Sequence, residues 1–302
     1  MAVFGLGLAA LGRPGYLTVD HGAAIGMDRS VDALRKQCHE VCAAAWDGGI
    51  RWFDAARSYG RAEQFLAEWL TAGDIEPNQV AVSSKWGYTY TANWKVHAAV
   101  HEVKDHSAAA LARQWPETQA LLGPWLRLYQ VHSATLESGI LDDVKAHVAL
   151  AGLGVPVGIS LSGPNQSEAL HRALSIDVDG TPLFSAVQAT WNLLEPSAGT
   201  ALAEAKSAGW TVIIKEALAN GRLVVPGPAT AALGARPDVT ALSVALAQPW
   251  ADIVLLGAAT VPQLRSNLAA LDAAVPPDGH RLATLALEPQ TYWRQRGAME
   301  WT

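Results

Sequence analysis

Eight apolar runs of strand length recur along the chain, and stretches with the 3.6-residue periodicity of amphipathic helices alternate with them. The runs are VFGLGL (3–8), RWFDA (51–55), VAVSSK (80–85), LRLYQVH (126–132), VPVGIS (155–160), SAVQAT (185–190), TVIIK (211–215) and DIVLLG (252–257). Most are rich in Val, Ile and Leu without a polar face, as parallel strands covered on both sides are. Eight such units in 302 residues, with no linker-like shift in composition, predict one (β/α)8 barrel. Residues 1–302 are then a single domain. A doubly wound sheet with a separate domain is the runner-up. Two connections are long, 86–106 and 216–237, and both leave the C-terminal ends of strands, where barrel enzymes build their sites. The C-terminal tail is expected near the same mouth.

The helical stretches carry their own signals. SVDALRKQCHEVCAAAWDGG opens on Ser30 as an N-cap, stops at Gly48-Gly49, and puts Leu34, Cys38, Val41, Cys42 and Ala45 on one stripe. The two cysteines of CHEVC therefore belong to a core face rather than to a metal site with His39, and they imply no disulfide framework. RAEQFLAEWL aligns Ala62, Phe65, Leu66, Trp69 and Leu70. ESGILDDVKAHVALAGLG aligns Ile140, Leu141, Val144 and Val148, and VPQLRSNLAAL aligns Leu264, Leu268 and Leu271.

Composition narrows the partners. Half the residues are hydrophobic, and the net charge is −6 with no basic run, which gives no support for nucleic acid or an anionic membrane. No stretch reaches about 18 uninterrupted apolar residues, so no membrane span is expected. The first residues lack a basic start and are broken by Gly and Pro, unlike a signal peptide. A cytoplasmic protein acting on a small molecule is the default, with homo-oligomer formation left open.

Gly5-Leu6-Gly7-Leu8-Ala9-Ala10 fits the loose dinucleotide fingerprint G-x-G-x-x-G/A. The context fails. A Rossmann turn opens directly into a helix and has an acidic residue at the end of the next strand. Here RPGYLTVDHGAAIGMD follows, a loop by composition, with Asp20 inside it. The glycines belong to the first barrel strand instead.

Four polar residues fall at or just beyond the C-terminal ends of strands two, three and four: Asp54 and Tyr59 in WFDAARSYG, Lys85 in SSKWG and His132 in YQVHS. In a closed barrel these strands are neighbours, and the four side chains converge. A free phenol has a pKa near ~10, too high for proton exchange at neutral pH. An ammonium beside Tyr59 lowers it, Asp54 holds that ammonium in place, and His132 hydrogen-bonds a substrate oxygen. Such a set protonates a carbonyl oxygen while hydride arrives at carbon, and the hydride must come from a cofactor.

With Asp54, Tyr59, Lys85 and His132 each in its strand-end setting, the chain resembles the aldo-keto reductase superfamily over nearly its whole length. VGIS, AVQATWN and GAATVPQLRSNL match in order and place. The resemblance implies an NAD(P)-dependent oxidoreductase that interconverts an aldehyde, ketone or sugar hemiacetal with the alcohol or lactone, with NADP(H) preferred and NAD(H) as the alternative. A nicotinamide-binding regulatory subunit with poor turnover is the other reading. Ser160 and Gln188 match the residues that hold the nicotinamide carboxamide. Leu8 and Ala9 match cofactor-touching positions at the end of the first strand. Gly257, Ala259, Gln263, Ser266 and Asn267 match the pyrophosphate and adenosine end, joined by Glu216, Leu218, Asn220 and Arg222 after the seventh strand. The pyrophosphate is thus expected near 257–267 and the loop after Lys215.

The chain departs from the family pattern at three points. Lys215 stands where many relatives stack an aromatic ring on the nicotinamide. Leu161 follows Ser160 where relatives carry Asn or Arg. Gly257 and Gln263 replace the basic pair that clamps the 2′-phosphate, with Arg222 or Arg265 as substitutes. Trp86, Trp94 and Trp191 are expected to wall the substrate pocket, with Tyr88, Tyr90, Tyr292, Trp293 and Trp301 as further candidates. His97 and His101 at i, i+4, with His106, offer a metal pair, a polar loop facing a hydroxylated substrate or a plain solvated face, and the solvated face is preferred; no resident metal is expected.

Overall fold

The structure is a computed structural model and describes residues 2–19, 21–275 and 279–302. Asp20 lies outside the described residues. Eight parallel strands close into a barrel: β1 (Val3–Gly7), β2 (Trp52–Asp54), β3 (Ala81–Trp86), β4 (Leu126–Ala134), β5 (Val157–Leu161), β6 (Ala186–Thr190), β7 (Thr211–Lys215) and β8 (Ile253–Leu256). Each pairs with its sequence neighbours, and β1 closes on β8 with Val3 opposite Ile253. The expected (β/α)8 barrel is the fold, and every strand lies within two residues of its sequence-derived bounds.

A two-residue alternation along the strands explains how one barrel is both packed and functional. At the N-terminal end the inward positions are apolar: Trp52, Leu128, Ala186, Ile213, Ile253 and Leu255 form one cluster. Two to four residues further on, the inward positions turn polar and are Asp54, Lys85, Gln130, Ser160, Gln188 and Lys215. The outward positions, among them Phe53, Val82, Tyr129, Val187, Val212 and Val254, join the larger core shared with the helices. Gly5 sits in the packed layer. A Cβ there would stand 2.9 Å from Leu255, closer than real contacts allow, and a tight 3.1 Å from Trp52, so the first glycine of the opening run serves barrel packing.

The helices follow the sequence signals with instructive exceptions. The first long one, Val31–Asp47, is capped by Ser30, whose hydroxyl accepts from Ala33 N at 3.2 Å, and it buries Leu34, Cys38, Val41, Cys42 and Ala45. Ala62–Ala72 buries Phe65, Leu66 and Leu70. The stripe read from 137 onward breaks. Gly139 takes a left-handed φ of 72°, and the helix starts only at Val144, capped by Asp143. Ile140 and Leu141 are buried from the preceding turn, while Val144 and Val148 face solvent. Leu271 is likewise exposed, because Val261–Leu268 ends before it.

The long connection after β3 holds an antiparallel hairpin, Tyr88–Tyr90 against Glu102–Lys104. His97 and His101 lie on its loop and not on a helix, so the i, i+4 spacing does not make a pair. No helix among the described residues is long and apolar enough to cross a membrane.

Candidate active site

Two turns of chain bring Tyr59 to the end of β2. Gly12, in the loop after β1, packs against them so closely that a Cβ would lie 2.1 Å from Tyr59 O. Its carbonyl accepts from Arg61 N at 2.7 Å. Arg13 next to it is buried and donates through Nη1 to Ser58 O (3.0 Å) and Glu102 (2.8 Å). Its guanidinium lies 5.3 Å from the Tyr59 ring centre and 4.6 Å from that of Trp301. Nothing periodic marked Arg13 or Glu102 in the sequence; only the loop and hairpin that carry them make them neighbours.

Lys85 is the centre of the cluster. Its ammonium donates to Asp54 Oδ2 at 2.5 Å, to Ala55 O at 2.9 Å and to the Tyr59 hydroxyl at 3.4 Å, fully buried. Asp54 Oδ1 accepts from Ser83 (2.7 Å), Gln188 (3.0 Å) and Gln130 (3.4 Å). Both charges of this buried pair are thus hydrogen-bonded on every side, which offsets their desolvation. His132 sits at a bulge of β4, where the register against β5 shifts and Ser133 adopts φ 51°. That turn sets the ring 5.4 Å from the Tyr59 ring, edge to face, with Nδ1 3.4 Å from Ser58 Oγ. Behind it His106 Nε2 meets His132 O at 2.8 Å. The structure therefore brings Asp54, Tyr59, Lys85 and His132 together.

Electrostatics define the protonation states. Burial, reinforced by Asp54, pushes the Tyr59 phenol well above its ordinary value, against the downward pull of Arg13. This departs from the sequence expectation of a phenol lowered by Lys85. Lys85 is paired with Asp54, and burial dominates at the resting phenol. Burial, then Lys85, Lys215 and Arg13, pushes His132 well below its ordinary value. The site holds a neutral phenol and a neutral imidazole at pH 7.

A cavity of about 640 Å³ opens over the C-terminal ends of the strands. At one end it touches Arg13, Asp54, Tyr59, Glu102, His132 and Trp301; at the other, Asp238, Gly257, Gln263, Ser266 and Asn267. Ala9, Gln188, Lys215, Glu216, Leu218, Asn220 and Ala259 line it as well. Leu8, Ser160 and Arg222 do not. Leu8 is buried in the core, because the chain turns at Ala9. Ser160 is buried below the cavity floor and accepts from Lys215 Nζ at 3.2 Å. Arg222 turns towards the C-terminal helix Pro289–Gly297, over the Tyr292 ring at 4.2 Å. Arg265 is exposed on the helix surface.

The three tryptophans also stand elsewhere. Trp86 is fully buried against His106, Trp191 packs edge-on to Trp250, and Trp94 donates to Arg29 O at 2.8 Å beside Phe65. Trp301 walls the mouth in their place, stacked on His101 at 4.1 Å. That stack, and a bond between His101 Nε2 and Val96 O at 2.9 Å, account for His101. Among the described residues no three His, Cys, Asp or Glu side chains gather as metal ligands do.

Two features of the far end were not legible in the sequence. Arg296, on the C-terminal helix, clamps Glu216 through both carboxylate oxygens at 2.9 and 3.0 Å. Burial pushes the Glu216 carboxyl up, and Arg296 outweighs it and holds it below the ordinary range. Arg236 donates to Ser266 O at 3.2 Å, while Asp238 accepts from Ser266 (2.5 Å) and Asn267 (3.3 Å).

The model of the aldo/keto reductase family matches residues 28–225, which span β2 to β7. This chain belongs to the aldo/keto reductase family. It is an oxidoreductase of that kind. No curated protein matches it. Among solved structures it is similar to the aldo-keto reductase AKR11C1 from Bacillus halodurans in its holo form, with 19% identity, TM-score 0.67, and coverage of 94% of this chain and 92% of that one. It is also similar to the aldo-keto reductase PA4992 of Pseudomonas aeruginosa, with 21% identity, TM-score 0.62, and coverage of 88% of each. At such identities the likeness speaks for the fold.

Proposed function

We propose that this oxidoreductase uses NAD(P) to interconvert an aldehyde, ketone or sugar hemiacetal with the alcohol or lactone, and that residues 1–302 act as a single domain. The observation that carries the reading is Lys85, buried behind the cavity wall and held between Asp54 at 2.5 Å and the Tyr59 hydroxyl at 3.4 Å, both of which line the cavity. In the reductive direction Tyr59 is the general acid. Its phenol stays protonated until a substrate oxygen gains charge, and Lys85 and Arg13 then stabilise the phenolate left behind. His132, neutral, orients the substrate oxygen by a hydrogen bond. Oxidation reverses these steps.

The residues present fit a dinucleotide. Small residues, Ala9, Ala10, Gly257, Ala258 and Ala259, leave room along part of the cavity wall, and the buried Asn220 Oδ1 there has no partner. Gln188, Lys215, Glu216, Leu218 and Asn220 would hold the nicotinamide half, and Gly257, Ala259, Gln263, Ser266 and Asn267 the adenosine half. When bound, the cofactor supplies the hydride. Arg236 favours a 2′-phosphate and Asp238 a free ribose hydroxyl; NADP(H) is the preferred cofactor on the strength of Arg236.

The test is reduced-nicotinamide absorbance over a carbonyl and sugar panel, with wild type and Tyr59→Phe. Loss of the phenol is expected to lower kcat by roughly 10²–10⁴ with cofactor affinity kept. Equal rates in the two proteins remove Tyr59 from the mechanism. Absence of multiple turnover on every carbonyl replaces the enzyme by a nicotinamide binder.

A further inference from the structure

The proposed proton transfer makes no use of one nucleophile in the cavity. Lys215 ends β7 on the inward face, lines the cavity with Tyr59 and His132, and forms no ion pair among the described residues. Its neighbour Glu216 is the natural counter-ion, yet both oxygens of that carboxylate are taken by Arg296. The ammonium is left with one neutral partner, the Ser160 hydroxyl at 3.2 Å. We propose that Lys215 is a carbonyl-addition site, at which small aldehydes form a reversible imine when the cavity is free of dinucleotide.

The charges around the amine act in one direction overall. Burial lowers it to about 7, with Arg296 and Lys85 adding to the effect and Glu216 and Asp54 opposing it. His132 faces the same space and is neutral. A large fraction of Lys215 is therefore free amine at neutral pH, where an exposed lysine is almost wholly protonated. The step balances simply. The Nζ lone pair adds to the carbonyl carbon, one proton passes from that nitrogen to the carbonyl oxygen, and a neutral carbinolamine forms. The hydroxyl then leaves as water after a second protonation, for which Tyr59 is the donor within the cavity, and nitrogen loses its proton to give the neutral imine. Water reverses the sequence.

The idea rests on the nicotinamide reading only in expecting the cofactor and the aldehyde to compete. The experiment treats the full-length protein with propanal and cyanoborohydride, which reduces the imine to a stable secondary amine, and maps the mass gain by peptide. At pH 7 Lys215 is expected to carry at least about ten times the label of any of the six other lysines. Lys104 is the internal control. Burial also lowers its amine, but it donates to Ser133 O and does not line the cavity. The excess should shrink towards pH 10, where exposed lysines carry free amine as well. Lys215→Arg, which keeps a cation and cannot form an imine, should abolish the label at that position with the circular dichroism spectrum unchanged. Labelling of Lys215 no greater than that of exposed lysines, or equal to that of Lys104, overturns the proposal. NADP+ is expected to suppress the adduct at least about tenfold. Undiminished label with NADP+ bound leaves the imine standing and overturns the placement of the nicotinamide beside Lys215.

Discussion

The two ends of the cavity are built on different principles. At the Tyr59 end Asp54, Lys85 and His132 are strand residues, and Lys85 is wholly buried. Their positions follow from barrel register, with Asp54 opposite Ser83 and Lys85 opposite Gln130. At the far end Glu216, Ala219 and Asn220 all hold positive φ in one loop, and the segment is tied by contacts from distant chain, Arg296 to Glu216 and Asn220 to Leu17. A strand end needs only the sheet to be placed. A strained loop needs its tertiary partners, because left-handed conformations in residues with a Cβ are unfavourable alone.

Lys85→Met attacks the first principle most directly. It leaves Asp54 buried without its cation, and a loss of roughly 3–5 kcal/mol in denaturant stability is expected. Activity should fall by about 10³-fold even in the folded fraction, because Tyr59 loses the ammonium beside it. Unchanged stability would show that the strand-end cluster is not what holds β2 and β3 in place.

Arg296→Gln attacks the second. Glu216 loses its clamp and turns to Lys215, and the loop loses its tie to the C-terminal helix. Dinucleotide affinity, followed by fluorescence titration, is expected to weaken by about 10- to 100-fold. The rate at saturating cofactor should change little. A drop in kcat as large as that of Lys85→Met would erase the distinction between the two ends.

A smaller effect tests the support behind His132. Burial lowers His106 from 6.5 to about 4. The unfolded chain therefore takes up a proton below pH 6.5 that the folded chain does not, so stability is full above that pH and is lost as pH falls towards 4. The loss is expected to reach about 1–2 kcal/mol at pH 5. It should appear as a lower Tm, and His106→Gln should flatten that part of the profile. The smallest effect belongs to the exposed Arg236. Arg236→Ala should weaken NADPH about 5- to 10-fold more than NADH, worth roughly 1 kcal/mol. Equal weakening of both would remove the 2′-phosphate contact.

The ease with which each end was read from sequence follows the same division. Asp54, Lys85 and His132 were legible because an apolar run followed by a polar residue marks a strand end. The stripe of Val31–Asp47 was legible because its cap and its period agree. The substrate wall was misread. Trp86 alternates to the outward face of β3 and meets His106 there, while Trp301, 215 residues away in the chain, fills the place expected of it. Val144 and Val148 share a helical period with Ile140 and Leu141 in the sequence, but Gly139 closes a turn there and the helix begins only at Val144, so the period does not carry through.

Period and strand-end position are local properties, so the eight strands, the closure they imply and the four residues of the buried strand-end cluster can be read along the chain. That Arg13 stands over Tyr59, that Arg296 takes Glu216 away from Lys215 and that Arg236 reaches Ser266 all depend on the folded arrangement. Those pairs join segments with no shared period, and charge and burial act through space rather than along the chain.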